Sequence, residues 1–415
     1  MIAYAAPGAA IKGMTLPLIS YLPPVYAALS GFSLTSVGLV FMFVRLWDLI
    51  IDPVAGSIMD GTRPPLGNRK FWIALSTPVL MLLLLLLFNP TSSTTLPQLA
   101  GMLIVFYIVW TLLTISYAAW PTDLAKDQEN RTRMIAWREW AGVLGMLGVL
   151  ASPVLIAGPG ASLPKQLSIM GSTLIVLLPL AVLPALIMLP RAIPERAVQT
   201  HRSSILDGWR LIRHSRKTRT LLLANLLSGC GYAANSATSF FVFSNYLKLE
   251  PQYSMIMLCF MVGMIVGVPV LMKISLWFGA QRGFMVAMIG SAAASLAFVV
   301  IPPNALYLTI IVNATLGFFT GGYQLNLNAE MVRLAGEDRD QSGSDRTSQH
   351  LALLEMTNKL GYALAIGFVY TLLAIFSGDT AVLSDLPNPA LLALGTVLPA
   401  ALFVGSALAF HSTKA

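Results

Sequence analysis

The sequence predicts an all-α integral membrane fold, with about twelve transmembrane helices in two pseudo-symmetric six-helix bundles. Three observations carry that expectation. The 415 residues are 56% hydrophobic and only 11% charged, with a mean hydropathy of +0.74; a soluble domain carries about 25% charged residues. Apolar stretches of about 20 residues, each able to cross a hydrocarbon core of about 30 Å as a helix, recur along the whole chain. One long basic connection divides those stretches into six and six. Transmembrane β-barrels are excluded, because their strands alternate in short segments and do not run apolar throughout.

The expected spans are 10–30, 33–59, 70–89, 98–122, 136–159 and 167–190, then 219–246, 253–276, 281–301, 305–330, 348–377 and 388–411. No cleavable signal peptide is expected; the first apolar stretch becomes the first span. The halves are read as residues 1–190 and 219–415, joined by a cytoplasmic basic linker, 191–218. The linker, within RAIPERAVQTHRSSILDGWRLIRHSRKTRT, is partly amphipathic around Ile205 to Ile212, which suits a helix lying on the membrane surface. A short basic turn with glycine recurs at equivalent places in the two halves, Gly67-Asn68-Arg69 and Gly279-Ala280-Gln281-Arg282. Paired six-helix units of this kind build many secondary transporters.

The net charge of +8 could mean nucleic acid or anionic lipid, but its placement points to topology. Lys and Arg concentrate in alternate connections, around Arg63 to Lys70, Lys126 to Arg138, Arg191 to Arg219, Lys273 to Arg282 and Arg333 to Arg346. The positive-inside rule then puts both termini in the cytoplasm. Nucleic acid is not an expected partner; the lipid bilayer and a small solute are. Cys230 and Cys259 fall in separate spans and read as small apolar filler.

The second span breaks the apolar pattern with VRLWDLIIDPVAGSIMD. Arg45, Asp48 and Asp52 fall within about 60° of one another on a helix and form one polar stripe. Each such charge costs roughly 2.5–3.5 kcal/mol at the centre of a membrane helix. A buried ion pair that fixes packing is one reading. The other is an ion site, since Arg45 can offset one carboxylate and leave the second for a cation or a proton. Pro53 removes a backbone donor just after Asp52.

The seventh span, LLLANLLSGCGYAANSATSFF, carries Asn225, Ser228, Tyr232, Asn235 and Ser239 at helical spacing. Such a stripe lines a cavity or joins helices, and five groups on one face favour the cavity. Gly263 and Gly267 in the eighth span read as packing. The tenth span ends in YQLNLNAE, placing Gln324, Asn326, Asn328 and Glu330 at its cytoplasmic mouth. On the eleventh, Glu355 and Lys359 stand at i, i+4, either as a self-neutralising pair or with Lys359 facing a solute. Gly361 and Ala365 beside it permit close helix approach. No metal-ligand spacing and no phosphate-binding Gly-Lys-Ser/Thr loop is present, so neither an enzyme nor an ATP-driven pump is expected, and no cofactor.

Extended to RLWDLIIDPVAGSIMDGTRPPLGNRKFWI, the second-span element resembles the glycoside–pentoside–hexuronide cation symporters, a melibiose permease-like family of the major facilitator superfamily. DLAKDQENRTRMIAWRE, AEMVRLAGED, SGSDR and the Lys359-x-Gly361 helix fall at family-like positions. The resemblance implies the major facilitator fold and sugar uptake by alternating access, driven by H⁺ or Na⁺. It implies that Asp48, Asp52 and Thr111 hold the coupling cation, that Arg45, Lys359 and Glu355 tune charge, and that Trp110 and Arg138 shape the solute pocket. It also assigns Asp60, Arg63, Gly67, Arg69, Arg131, Glu330 and Arg346 to the cytoplasmic loops that gate the carrier.

Departures bear on the cargo. Lys12 and Thr114 stand where the family's melibiose carrier has sugar-binding aspartates, and Ile51 replaces a neutral oxygen ligand beside the second cation carboxylate. Na⁺ needs several oxygens, whereas a proton needs one suitably basic site, so H⁺ coupling is favoured. The expected protein is a monomeric, multi-pass inner-membrane symporter of a sugar, glycoside, uronide or related solute, with Lys12, Trp110, Thr114, Arg138, Asn225, Ser228, Tyr232, Asn235 and Lys359 as candidate solute contacts. A lysolipid carrier of the same fold, or a non-transporting membrane sensor, is the alternative.

Overall fold

A computed structural model describes residues 1–29, 32–62, 64, 66–91, 93–125, 127–158, 160–190, 215–342, 346–377 and 388–412. Among these residues every regular element is helical. The chain divides into two compact units, Met1–Val198 and Gln199–Ala415. The first unit contains α1 (Ile2–Ala28), α2 (Leu34–Gly61), α3 (Asn68–Leu87), α4 (Leu96–Leu124), α5 (Gln128–Ala157) and α6 (Leu163–Met188). The second contains α7 (Arg216–Phe241), α8 (Tyr253–Phe278), α9 (Ala280–Ala297), α10 (Leu306–Asp340), α11 (Thr347–Ser377) and α12 (Pro389–His411). The linker reading, with its surface helix around Ile205 to Ile212, lies outside the described residues.

Helix ends follow local chemistry. Ser33 caps α2 by accepting the Ser36 N–H at 3.1 Å, and Ser215 caps α7 by accepting the Thr218 N–H at 3.2 Å. Helix α5 begins well before residue 136, where the apolar run starts. Asp127 accepts the Asn130 N–H at 2.7 Å and its side-chain amide at 2.8 Å, which starts the helix inside the charged segment. Those two hydrogen bonds hold the Asp127 carboxyl below its ordinary range. Its contribution to folding is therefore complete above the ordinary carboxylate range and is lost as pH falls through the lowered value. At the end of α6, the Lys70 ammonium donates to the carbonyls of Leu186 at 2.8 Å and Leu189 at 2.5 Å. It thereby satisfies acceptors that the last turn leaves open.

Eleven of the twelve described helices are long and apolar enough to cross a membrane; α7 is long enough but too polar. Its polar groups are turned inward, with Asn225, Ser228, Thr238 and Ser239 all buried. In the first unit α1 packs on α5 and α6, α2 on α4, and α3 on α4 and α6. In the second unit α7 packs on α11 and α12, α8 on α10, and α9 on α12 and α10.

The α8–α10 seam is a close backbone approach that glycine makes possible. A Cβ on Gly263 would strike the Ala314 carbonyl and one on Gly267 the Phe318 carbonyl, while one on Gly317 of α10 would strike the Phe260 carbonyl. Small residues let two membrane helices gain dispersion contacts where lipid offers no hydrophobic drive. Gly267→Ala should therefore lower the melting temperature in detergent, whereas Gly101→Ala, where the added methyl meets open space, should leave it unchanged or raise it, by up to about 1 kcal/mol of helix propensity. Parallel thermal melts of the two variants make the comparison.

Candidate ion-coupling and solute site

The first unit brings the second-span stripe against α4. The Thr111 hydroxyl lies 3.2 Å from Asp48 Oδ1 and 3.2 Å from Asp52 Oδ1. Asp48 is only 5% exposed, so it is a carboxyl largely withdrawn from water. A hydroxyl carries one hydrogen and two lone pairs, so Thr111 donates to one carboxylate at a time. Toward the other it is an acceptor, which suits a protonated carboxyl there or a cation among the three oxygens. The Arg45 guanidinium sits 5.1 Å from the centre of the Tyr107 ring, a cation–π contact. Thus Asp48, Asp52 and Thr111 meet, and Arg45 has an aromatic partner one turn along the same helix α4.

Other α4 residues flank this group. Trp110 stacks on Phe106 with centroids 5.6 Å apart, and the Thr114 hydroxyl donates to the Thr111 carbonyl at 3.2 Å. Two turns beyond Thr111, the Tyr117 hydroxyl accepts the Gly8 N–H at 3.0 Å and lies 2.8 Å from the Tyr4 carbonyl. That arrangement ties α4 to α1. The Tyr4 and Tyr117 rings stack at 5.0 Å, and the Arg138 guanidinium of α5 lies 5.9 Å from the Tyr117 ring centre.

Glu139, next to Arg138, joins these parts. One of its carboxylate oxygens is ion-paired with Lys12 and the other takes Arg138 at 3.1 Å. Gly142, one turn along α5, is required here, because a Cβ would strike the Lys12 side chain. The sequence presents Lys12 as a bare cation facing the solute; the structure gives it an internal carboxylate. Glu139 escapes a sequence reading because what matters is the cation it meets, Lys12, which lies on α1 far away along the chain. Tyr107 and Tyr117 escape it too, although Tyr107, Thr111, Thr114 and Tyr117 recur at i, i+4, i+7 and i+10 on α4, a spacing that marks one helix face.

In the second unit the seventh-span stripe needs correction. The Asn225 side chain donates to the Leu354 carbonyl of α11 at 2.6 Å. Ser228 donates to the Asn225 carbonyl at 3.0 Å. Tyr232 meets Ser291 of α9 at 2.9 Å and packs on Tyr323 and Phe403. All three are buried and not cavity lining: Asn225 and Tyr232 join α7 to α11 and α9, and Ser228 is bonded within α7; Asn235 is half-buried. The α7–α11 contact is close because Gly361 lies against the Leu226 carbonyl and the Cys230 N–H. Lys359 is half-buried on α11, and Glu355 one turn earlier is exposed.

The loop residues separate. The Asp60 side chain and Arg63 lie outside the described residues. Gly67 takes a φ of 84°, a conformation that favours glycine, and the following Arg69 faces Asp123 at 3.6 Å. Arg131 donates to the Ala125 carbonyl at 3.0 Å, Glu330 pairs with Arg333 at 2.5 Å, and the Arg346 carbonyl accepts the His350 N–H at 3.1 Å at the start of α11.

Residues 3–414 match the MFS/sugar transport protein family. The chain belongs to that family. Its likeness to individual relatives is distant. It is 27% identical over 152 residues to the proposed glycoside/cation symporter YagG of Escherichia coli, covering 35% of this chain and 32% of the relative. It is 27% identical over 138 residues to the raffinose carrier protein of Pediococcus pentosaceus, covering 31% of this chain and 22% of the carrier. Each alignment therefore spans a third or less of the relative's length. The crystal structure of the nucleoside transporter NupG superposes with a TM-score of 0.74 at 15% identity, covering 99% of this chain and 98% of that one. The similarity establishes the fold. The family is described as one of MFS/sugar transport proteins.

The three-charge group gives an asymmetric expectation. Glu139→Gln leaves Lys12 and Arg138 facing each other without their shared anion, whereas Lys12→Gln leaves Glu139 still held by Arg138. Glu139→Gln should cost more stability than Lys12→Gln, by about 1 kcal/mol given the half-exposed setting. Equal melting shifts for the two variants would contradict the bridging role.

Proposed function

We propose that this member of the family is a cation-coupled symporter, with H⁺ favoured over Na⁺, that moves a sugar, glycoside, uronide or related small organic solute by alternating access. The observation that supports it is the placement of one hydroxyl, Thr111, within hydrogen-bond distance of both Asp48 and Asp52. Packing alone calls for one pair. A second carboxylate sharing a single hydroxyl hydrogen is a place where a proton or a cation lowers the free energy. Two carboxylates and one hydroxyl, with Ile51 beside Asp52 contributing no oxygen, form a small ligand set for Na⁺, which supports the proton. The named relatives support the cargo class: one is called a glycoside/cation symporter and another a raffinose carrier. On this reading the protein works as a monomer in a bacterial inner membrane, with both termini in the cytoplasm, where the positive-inside rule puts its basic connections.

The test is flux in proteoliposomes, using a glycoside first found to raise the melting temperature of the purified protein, since a ligand of the native state stabilises by mass action. Solute addition should drive proton uptake, and Asp52→Asn should abolish that uptake while leaving the protein folded. Thr111→Val should slow coupled uptake at least tenfold, because losing a hydrogen bond to a charged group costs about 1.5–3 kcal/mol. Uptake that follows Na⁺ and ignores pH would reject proton coupling.

A further inference from the structure

The two halves repeat a short basic turn, and its cations meet different fates. In the first unit Arg69 faces Asp123 at 3.6 Å, and Lys70 donates to the carbonyls that end α6. In the second unit the turn joins α8 to α9 at Gly279, whose φ is 90°. Lys273 stands before it and Arg282 after it, both exposed. Between Glu250 and Glu330 the sequence holds no Asp or Glu, and α12 holds none either. At the end of α10, Glu330 and Glu337 are taken by Arg333 and Lys217, and Asp338 faces His350 at 3.7 Å. Among the described residues, Lys273 and Arg282 therefore have no carboxylate partner.

The turn is closed by its own hydrogen bonds. The Gly279 N–H donates to the Ser275 carbonyl at 2.9 Å, and the Gly283 N–H to the Gly279 carbonyl at 3.1 Å. Gly283 lies directly against Ser275, whose hydroxyl a Cβ would strike, so the start of α9 packs on the last turns of α8. Along α8, Val262, Val266, Val270, Lys273 and Trp277 follow one another three or four residues apart, which is one helix face. All five are exposed, Trp277 by 75%. That face runs from apolar side chains within the span to a cation and an indole at its end. A phospholipid presents its acyl chain and headgroup in the same order. Trp favours the level where hydrocarbon meets headgroups, and basic side chains there attract anionic lipid.

We propose that the α8–α9 hairpin binds an anionic phospholipid, with Lys273 and Arg282 holding the headgroup phosphate, Trp277 at the glycerol level and an acyl chain along Val270, Val266 and Val262. The lipid supplies in the second unit the negative charge that Asp123 supplies to Arg69 in the first. A zwitterionic lipid carries its own ammonium beside the phosphate and gains less from two unpaired cations. The inference needs only the membrane fold, and it stands or falls separately from the coupling ion and the cargo.

Thermal shift and native mass spectrometry on the purified full chain test it, with dioleoyl phosphatidylglycerol against dioleoyl phosphatidylcholine. Phosphatidylglycerol should raise the melting temperature and remain bound, whereas the choline lipid should do neither. High salt should erase the difference, because the two cations are exposed and screened. Lys273→Gln and Arg282→Gln should each weaken phosphatidylglycerol binding about fivefold, while melting like the unmodified chain in the choline lipid. Trp277→Ala should weaken it too. Lys165→Gln, at an exposed cation of the first unit, should leave it unchanged. Equal stabilisation by the two lipids overturns the proposal, as does an undiminished phosphatidylglycerol response in the Lys273→Gln, Arg282→Gln double variant. A full shift produced by glycerol 3-phosphate alone would mean a site for free phosphate and also overturns it. So does a lipid-free dimer that Trp277→Ala dissociates, since a second copy would then cover this face.

Discussion

Hydrocarbon supplies no hydrogen-bond partners, so a polar group within the spans is costly unless the protein or water satisfies it. Most features of this chain follow from that constraint. Hydroxyls fold back on their own helices: Thr77 onto the Ile73 carbonyl, Thr238 onto Ala234 and Thr309 onto Ala305, at 2.7 to 2.9 Å. Amides and phenols join neighbouring helices, as Asn225 does to α11 and Asn313 to the Ile256 carbonyl of α8 at 3.0 Å. Ser406 of α12 reaches the Ala224 carbonyl of α7 at 2.7 Å. These joints explain how α7 is accommodated despite being too polar to count as a span on its own. Of its own polar side chains, Asn225 reaches α11, Tyr232 meets α9 and Ser239 meets Tyr253 of α8, while Ser228 and Thr238 bond back within α7.

The same constraint makes the charged groups informative. A buried ion pair is weak support for stability, since desolvation offsets much of its Coulomb gain. Lys70 is accounted for by the open carbonyls at the end of α6, and Arg69 by Asp123. The groups at Thr111 and Tyr117 serve no helix end or loop of this kind. They place three charges each within spans. Helix α4 carries both groups, with Thr111 meeting α2 and Tyr117 meeting α1 and the Arg138 side chain of α5.

Much of the fold is legible in the sequence because a membrane span is encoded by composition, and composition is local. The recurrent apolar runs match helices, and Gly263 and Gly267 can be read as packing because small residues spaced four apart share a helix face. Helix ends are less legible. The start of α5 lies in a charged segment that no hydropathy argument favours, and it is set by the Asp127 cap instead. At the site, Arg45, Asp48 and Asp52 stand out because three charges in an apolar run are expensive. Glu139 and Tyr107 do not, since their significance lies in what they meet, Lys12 from α1 and Arg45 from α2, more than a hundred and more than sixty positions away. The seventh-span stripe misleads for the complementary reason. Periodicity reports that polar groups share a face, but not whether a cavity or another helix lies opposite.

On the proposed reading, the choice of threonine at position 111 has a physical logic. A hydroxyl between two carboxylates has two arrangements of nearly equal geometry, both at 3.2 Å. With both acids ionised its hydrogen commits to one of them, and the other oxygen faces a lone pair. When a proton arrives on that second acid, the acid donates to the hydroxyl and all three oxygens are joined in a chain whose bonds polarise one another. An asparagine in the same place would offer two donors and hold both carboxylates ionised at once, removing the reason for a proton to bind. A valine would offer none and leave Asp48, already withdrawn from water, without this partner in either state. The hydroxyl therefore distinguishes the loaded site from the empty one by hydrogen-bond direction, with little movement of heavy atoms. That small difference is a way for α2 and α4 to register an ion in a bilayer where larger polar rearrangements are costly.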